Sequence, residues 1–294
     1  MGDGDRAVSP PEANRPRVPR ALTIAGSDSS GGAGIQADLR TFAALGVHGS
    51  SAITAITAQS TKAVTAIARV APKMVRAQID AVLDDVGADA IKTGMLVDRA
   101  VVREVAACLR ERGAAPIVDP VMIAGGGARL LAPSAERAMR DEMIPLARLV
   151  TPNLPEAEVL LERAIPSSLE ARVSAARALL ALGARAVLLK GGHARGGTVI
   201  DVLAEGDEVL VLTSPRVRTR CTHGTGCTLS AAVAAGLARG LDLRRAVVEA
   251  HGWLAAAIAA AVPIGAGLSP VHHMHAWYAP GAPPALEPRT SAPR

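Results

Sequence analysis

Short apolar runs that end in glycine or a polar turn, each followed by a segment with helical spacing, recur along this chain and constrain its fold more than any other feature. The first is Ala21-Leu22-Thr23-Ile24-Ala25, cut off by Gly26. A continuous apolar run of this length, bounded by a turn signal, suits a strand buried on both faces. A glycine-rich loop follows, then a helical segment over 33–45. Next come β-rich runs at 50–57 and 64–70, and a helix opened by Pro72 with Met74, Val75, Ile79, Val82 and Leu83 at helical spacing. The alternation continues with a strand near 89–93, a helix at 98–112, a strand at 117–119 and a helix at 133–143. A strand at 148–151, helices near 155–163 and 168–182, and a strand at 186–190 extend it. Runs at 199–203 and 208–213 flank Glu205-Gly206-Asp207 as a hairpin, and helices at 225–239 and 243–261 close the pattern. This succession predicts an α/β fold with a mostly parallel central sheet covered on both faces.

Composition supports a layered core of small aliphatics. Hydrophobic residues make up 49% of the 294, yet one Phe, one Tyr and two Trp are the only large aromatics, so Ala, Val, Leu and Ile must fill the interior. The net charge of +5 is diffuse, with arginines set beside Asp and Glu and no basic stretch interleaved with stacking aromatics, which argues against a nucleic-acid partner. Cys108, Cys221 and Cys227 form an odd set without CxxC spacing, as expected in a reducing compartment. The N-terminus has no continuous apolar segment, and the apolar stretch at 254–262 falls short of the ~20 residues that span a bilayer, so the reading is a cytoplasmic protein with no membrane partner. Residues 1–19 and 279–294 are rich in Pro, Arg, Ala and Ser without periodicity and read as tails. No repeat or linker interrupts 20–278, so one domain is expected there.

Several strand-end loops carry chemistry. Gly31-Gly32-Ala33-Gly34-Ile35-Gln36-Ala37 matches a dinucleotide-binding glycine pattern, but no acidic residue stands near the end of the next strand, where Ala58-Gln59-Ser60-Thr61 lies instead. The same glycines also suit close approach of backbone to a substrate, with Asp28 and Asp38 facing the pocket. No GxxxxGK[ST] run is present, so phosphate must be held another way. Thr222-His223-Gly224-Thr225-Gly226-Cys227-Thr228 precedes an Ala-rich helix, where consecutive backbone N–H groups and the helix dipole can converge on one anion. Asp119 follows one strand, Asn153 and Glu156 follow the next, and Lys190 ends a third. In a parallel sheet these loops share the carboxyl edge, where open α/β proteins bind ligands. The oxygen-rich set suits Mg²⁺ around ATP phosphates, and the lysine suits phosphate charge.

These segments together resemble the hydroxymethylpyrimidine/phosphomethylpyrimidine kinases, over about 21–278. The resemblance is carried by 21–28 with the glycine loop through Asp38, Ala58-Gln59-Ser60-Thr61, Lys92-Thr93-Gly94-Met95-Leu96, 151–156, 189–193, 222–230 and the ending Pro270-Val271-His272-His273-Met274-His275-Ala276-Trp277. It implies a three-layer αβα ribokinase-like fold, a homodimer, and transfer of the γ-phosphoryl of Mg-ATP to a hydroxymethyl group and then to the resulting phosphate. By the same resemblance Gly26, Asp38, Gln59, Met95 and Val121 line the pyrimidine pocket, and Asp119 and Glu156 organise Mg²⁺. Asn153, Lys190 and Thr225 contact nucleotide phosphate. Gly224, Thr225, Gly226 and Cys227 form the anion hole, and Cys227 stands where related kinases place an aspartate base. Two departures are Ser29, where proline is common, and Ser60, where asparagine is common.

A thiol at a helix N-terminus is expected to titrate below the free value of ~8.5. A pyridoxal or pyridoxine kinase is the alternative enzyme reading, and a non-catalytic ligand-binding regulator the alternative of another class. Gln59 favours the pyrimidine, because a side-chain amide pairs with a ring nitrogen and an adjacent exocyclic amine, one bond donated and one accepted. His272, His273 and His275 read as packing and surface residues.

Overall fold

The computed structural model describes residues 17–123, 127, 129–192, 194 and 196–280. Nine strands form a single sheet in the order β3-β2-β1-β4-β5-β6-β7-β8-β9. They are β1 (Arg20–Asp28), β2 (His48–Gln59), β3 (Val64–Arg69), β4 (Ala90–Thr93), β5 (Ile117–Val118), β6 (Leu149–Val150), β7 (Ala186–Leu189), β8 (Thr198–Glu205) and β9 (Glu208–Pro215). β2, β1, β4, β5, β6 and β7 run parallel, while β3 and the β8–β9 hairpin add antiparallel edges.

The central strands are apolar on both sides because both sides are covered. Leu22, Ile24, Ile91, Val118, Val150 and Val187 pack with α2 (Pro72–Asp84), α3 (Arg99–Glu111), α4 (Pro133–Ala138), α5 (Leu154–Leu161) and α6 (Leu169–Leu180). Their neighbours Ala21, Ala90, Ile117, Leu149 and Ala186 pack on the opposite face with α1 (Gly34–Ala44), α7 (Thr225–Ala238) and α8 (Leu243–Ala259). Alternation along each strand therefore feeds two cores, and the result is the expected three-layer αβα sandwich. α7 is buried from Thr228 through Leu237, as a helix apolar all round must be, and Gly236 lets it approach Ala246 of α8.

The segment expected as one helix at 133–143 is α-helical only to Ala138. It widens to a π-turn at Met139–Met143 and ends in a 3₁₀ turn at Ile144–Leu146. Pro145 has no N–H and its ring crowds the carbonyl four residues back, so a regular helix cannot run up to it. Most of the expected tails lie outside the described residues. Of the described part, Arg17 pairs with Asp89 and the Pro19 carbonyl accepts from His48 N at 2.8 Å, so the fold engages the chain slightly before residue 20. No helix among the described residues is long and apolar enough to cross a membrane.

The connections place the site. β1 sits between β2 on one side and β4 on the other, and the chain winds outward from it in both directions. At such a reversal the loops leaving the two strands diverge, opening a crevice at the carboxyl edge.

Candidate active site

The first wall of the crevice is the loop after β1. Asp28 accepts hydrogen bonds from the N–H groups of Ser30 (2.8 Å), Gly32 (3.2 Å) and Ala33 (2.8 Å), and from the Ser30 hydroxyl (2.7 Å). His223 Nε2 adds a contact of 2.7 Å to the same carboxylate. Burial works to raise this carboxyl, but the bonds from His223 and Ser30 hold it below the ordinary carboxylate range. Asp28 thus folds the glycine loop and ties it to the loop before α7. The fit is close: a Cβ on Gly224, whose φ is +74°, would stand 1.9 Å from the Gly32 carbonyl oxygen.

Gln59, at the end of β2, is half-buried beside this loop. Its backbone is fixed by Ser29, whose hydroxyl donates to Gln59 O (2.7 Å) and accepts from Gln59 N (2.8 Å). The departure from proline at 29 therefore contributes two hydrogen bonds that proline cannot make. Met95 lies across the crevice, its sulfur 3.0 Å from where a Cβ on Gly26 would stand, and its carbonyl accepts from Thr54 Oγ1 at 2.6 Å. Val121, half-buried after β5, donates its N–H to Asp119 O at 2.8 Å.

The second wall holds the charges. Lys190 Nζ donates to Asp119 Oδ1 at 2.8 Å, and Thr151 Oγ1 donates to the same oxygen at 3.0 Å. Oδ2 has the Ser230 hydroxyl at 3.4 Å. Burial opposes both charges, yet Asp119 and Glu156 hold Lys190 above its ordinary value and Lys190 and Lys92 hold Asp119 below its own. Asn153 caps α5 in a reciprocal box, with Glu156 N donating to Asn153 Oδ1 (2.9 Å) and Asn153 N donating to Glu156 Oε2 (2.8 Å). Burial, with help from Asp119, pushes the Glu156 carboxyl up to about 7 despite Lys190.

α7 begins between the two walls. No side chain caps it, so its first-turn N–H groups lack an intrahelical partner, and Thr225 N–H makes only a long bond of 3.4 Å to the Thr222 carbonyl. Gly226 opens toward the charged wall: a Cβ there would lie 3.0 Å from Lys190 Nζ. Cys227 is half-buried and takes a bond from the Gly34 N–H. Its expected acidity is corrected by its surroundings. Burial pushes the thiol up to about 11, and Asp38 and Asp119 add to this while Lys92 only partly offsets it. The helix terminus does not overcome desolvation beside two carboxylates.

Asp38 is a second correction. It was expected on the pocket wall, but it is fully buried, accepting from Lys92 Nζ at 2.8 and 2.9 Å and from the Thr23 hydroxyl at 2.6 Å. Lys92 is equally sealed. This pair, beneath Cys227, is the main feature that residue-by-residue reading missed. A lysine inside the apolar run Ala90-Ile91-Lys92-Thr93 was the available signal, since a lysine is almost never fully buried unless it is paired.

The histidines near the end pack as expected. His273 Nε2 lies 3.1 Å from Thr228 Oγ1, His272 Nε2 lies 2.8 Å from Tyr278 O, and the His275 ring leans on Trp253. His193, part of the resemblance after β7, lies outside the described residues.

A family model described as phosphomethylpyrimidine kinase matches residues 28–272. The chain belongs to the phosphomethylpyrimidine kinase family. It is 51% identical to the hydroxymethylpyrimidine/phosphomethylpyrimidine kinase of Rhizobium meliloti strain 1021, over 88% of this chain and 98% of that protein. Among solved structures, the phosphomethylpyrimidine kinase of Clostridium difficile 630 is 39% identical with a TM-score of 0.72, covering 81% of this chain and 98% of that one. The pyridoxal kinase of Staphylococcus aureus in complex with AMP-PCP and pyridoxal is 34% identical with a TM-score of 0.81, covering 89% and 95%. As a phosphomethylpyrimidine kinase family member with the ribokinase-like fold, the chain is a phosphotransferase.

Proposed function

We propose that this enzyme transfers the γ-phosphoryl group of ATP to the hydroxymethyl oxygen of 4-amino-5-hydroxymethyl-2-methylpyrimidine, and then a second one to the monophosphate, in thiamine biosynthesis in the cytoplasm. The observation that carries the reading is the convergence of the uncapped start of α7, the Lys190–Asp119 pair and Cys227 on the crevice beside β1 and β4. Phosphoryl transfer through a loose transition state requires positioning and charge neutralisation more than covalent help. The N–H groups of Gly224, Thr225, Gly226 and Cys227 receive the transferring group, Lys190 neutralises phosphate charge, and Asn153 and Thr225 steady the nucleotide.

Two buried carboxylates sharing one lysine fit a divalent cation, because a positive ion offsets the burial and the lesser repulsion from Asp119 that together raise Glu156. Asp119 and Glu156 are the residues that would hold Mg²⁺, largely through water; among the described residues no third acidic, His or Cys ligand completes a closed cage. When bound, the ion supplies screening of the phosphate oxygens.

Gly26, Met95 and Val121 shape the slot for the flat ring, and Gln59 presents the amide that pairs with its polar edge. Asp38 acts indirectly, as the counter-ion that keeps Lys92 charged beneath Cys227. Cys227 takes the hydroxyl proton in its thiolate form, a small fraction near neutral pH, so the anion hole carries most of the rate there. A homodimer is the assembly proposed. An ADP-release assay with the pyrimidine, its monophosphate and pyridoxal as alternative acceptors tests the reading. Turnover is expected with the first two and little with pyridoxal, and preference for pyridoxal would make the alternative kinase the better account.

A further inference from the structure

A side-chain amide can present its donor and acceptor in either of two orders, and only one order matches a given heterocycle edge. Four neighbours of Gln59 determine which order it adopts. His223 Nε2 contacts Asp28 Oδ2 at 2.7 Å, and an ionised carboxylate accepts only, so Nε2 must carry a proton whether the ring is neutral or charged. That nitrogen therefore has no lone pair for the Gln59 amide nitrogen placed 3.2 Å away, and turning the amide end for end sets its oxygen there instead. On the other side Thr57 Oγ1 has one proton for two acceptors, the Ser27 carbonyl at 2.8 Å and the Gln59 oxygen placed at 3.2 Å; it gives the proton to the shorter contact, and the same turn of the amide lets Thr57 accept from the Gln59 nitrogen. The two constraints come from opposite ends of the amide and agree. Thr57 is buried, and the backbone of Gln59 is already pinned by Ser29, so the amide has little freedom to escape them.

We propose that Thr57, together with the His223–Asp28 pair, holds the Gln59 amide in one orientation and thereby makes the enzyme read a 4-aminopyrimidine edge and reject its 4-oxo counterpart. This rests on the proposed function. In the fixed order the Gln59 oxygen faces the Nε2–H that His223 directs mainly to Asp28, and keeps a lone pair for an exocyclic amine. The nitrogen gives one proton to Thr57 and keeps the other for the adjacent ring nitrogen, so all amide positions are satisfied. A 4-oxo ring reverses the pattern, with a ring N–H facing the amide N–H and a carbonyl facing the amide oxygen. Thr57 and His223 are positioning residues in this scheme, acting through Gln59.

The test compares kcat/KM for 4-amino- and 4-oxo-5-hydroxymethyl-2-methylpyrimidine at saturating Mg-ATP in the wild type, Thr57→Val and Thr57→Ser. A site built to pair with polar edges should favour the amino compound by about 10³-fold or more. Valine removes the acceptor at one end of the amide and leaves the nitrogen without a partner, with only the His223–Asp28 contact to order it, so the preference should fall at least about tenfold, while serine should keep it within about threefold and the KM for ATP should stay within about twofold throughout. Thr57→Ala makes the same prediction should the valine variant not fold. A valine or alanine variant with the wild-type preference overturns the proposal, as does one that weakens both pyrimidines and ATP alike, since that marks Thr57 as merely structural. A wild-type enzyme that turns over neither pyrimidine defeats the proposed function itself, a distinct result.

Discussion

Replacing Cys227 by alanine and following kcat against pH separates two ways in which the crevice could accelerate transfer. With the thiol pushed up to about 11, the thiolate is roughly one part in 10⁴ at pH 7 and one in 10² at pH 9, a factor of ten per unit. A positioned base contributes roughly 10²–10⁴-fold when fully in its active form. The product of fraction and factor is at most about unity at pH 7 and up to about 10² at pH 9. The wild-type to Cys227→Ala ratio in kcat should therefore be within about threefold at pH 7 and then climb with pH, approaching tenfold per unit. Cys227→Asp, whose carboxyl ionises at lower pH, should move the rise toward acid and abolish sensitivity to thiol alkylation. The assay is single-turnover ADP formation from pH 6.5 to 9.5, where chemistry and not product release is read. A ratio of 10² or more already at pH 7 would show a neutral-pH thiolate and refute the desolvation argument. A ratio near one at every pH would remove the base and leave the anion hole as the catalytic device.

Three further predictions concern the parts that hold this site in place. Gly224→Ala puts a methyl 1.9 Å from the Gly32 carbonyl oxygen at a left-handed residue, so the two loops must separate by about 1 Å and kcat should drop by roughly 10²-fold, whereas wild-type kcat would contradict the close approach. Lys92→Met strands the fully buried Asp38 and should cost about 3–5 kcal/mol in urea unfolding, with most of it recovered in Lys92→Met/Asp38→Leu. A single variant within about 1 kcal/mol of wild type would mean that the pair is not carrying its charges. Burial, aided by Arg40, His272 and His275, pushes His273 down from 6.5 to about 4. The folded state thus resists a proton that the unfolded chain accepts, so this stability is full above 6.5 and is lost as pH falls toward 4, about 2 kcal/mol of it by pH 5. His273→Gln should flatten the decline in urea midpoint between pH 7 and 5, and an unchanged decline would assign it to other groups.

The sheet was legible because β1, β4, β5 and β6 are apolar runs each followed by a helix, and the β8–β9 edge announces itself by Glu205-Gly206-Asp207. The strand-end residues Asp119, Asn153, Glu156 and Lys190 were legible for the same reason, since a parallel sheet brings the carboxyl ends of its strands to one edge however far apart they are in the chain. What was not legible depends on side-chain pairing across the layers. Asp38 lies on α1 and Lys92 on β4, and nothing between these residues, 54 apart in the chain, signals that they meet. The same blindness misjudged Cys227: a helix start is visible in Gly224 to Thr228, but the buried carboxylates behind the thiol are not. Pro145 was visible, yet its effect on the preceding turn depended on how the chain had to reach β6.

Under the proposed function, one crevice phosphorylates the pyrimidine hydroxymethyl and then the phosphate it has made. Phosphorus NMR of the enzyme with Mg-ATP and 4-amino-5-hydroxymethyl-2-methylpyrimidine tests it directly. A phosphomonoester signal should rise first, followed by the paired signals of a diphosphate, both slowed together by roughly 10²-fold in Gly224→Ala. ATP consumed with no phosphorus signal on the pyrimidine, or a diphosphate formed at the wild-type rate by Gly224→Ala, would contradict it.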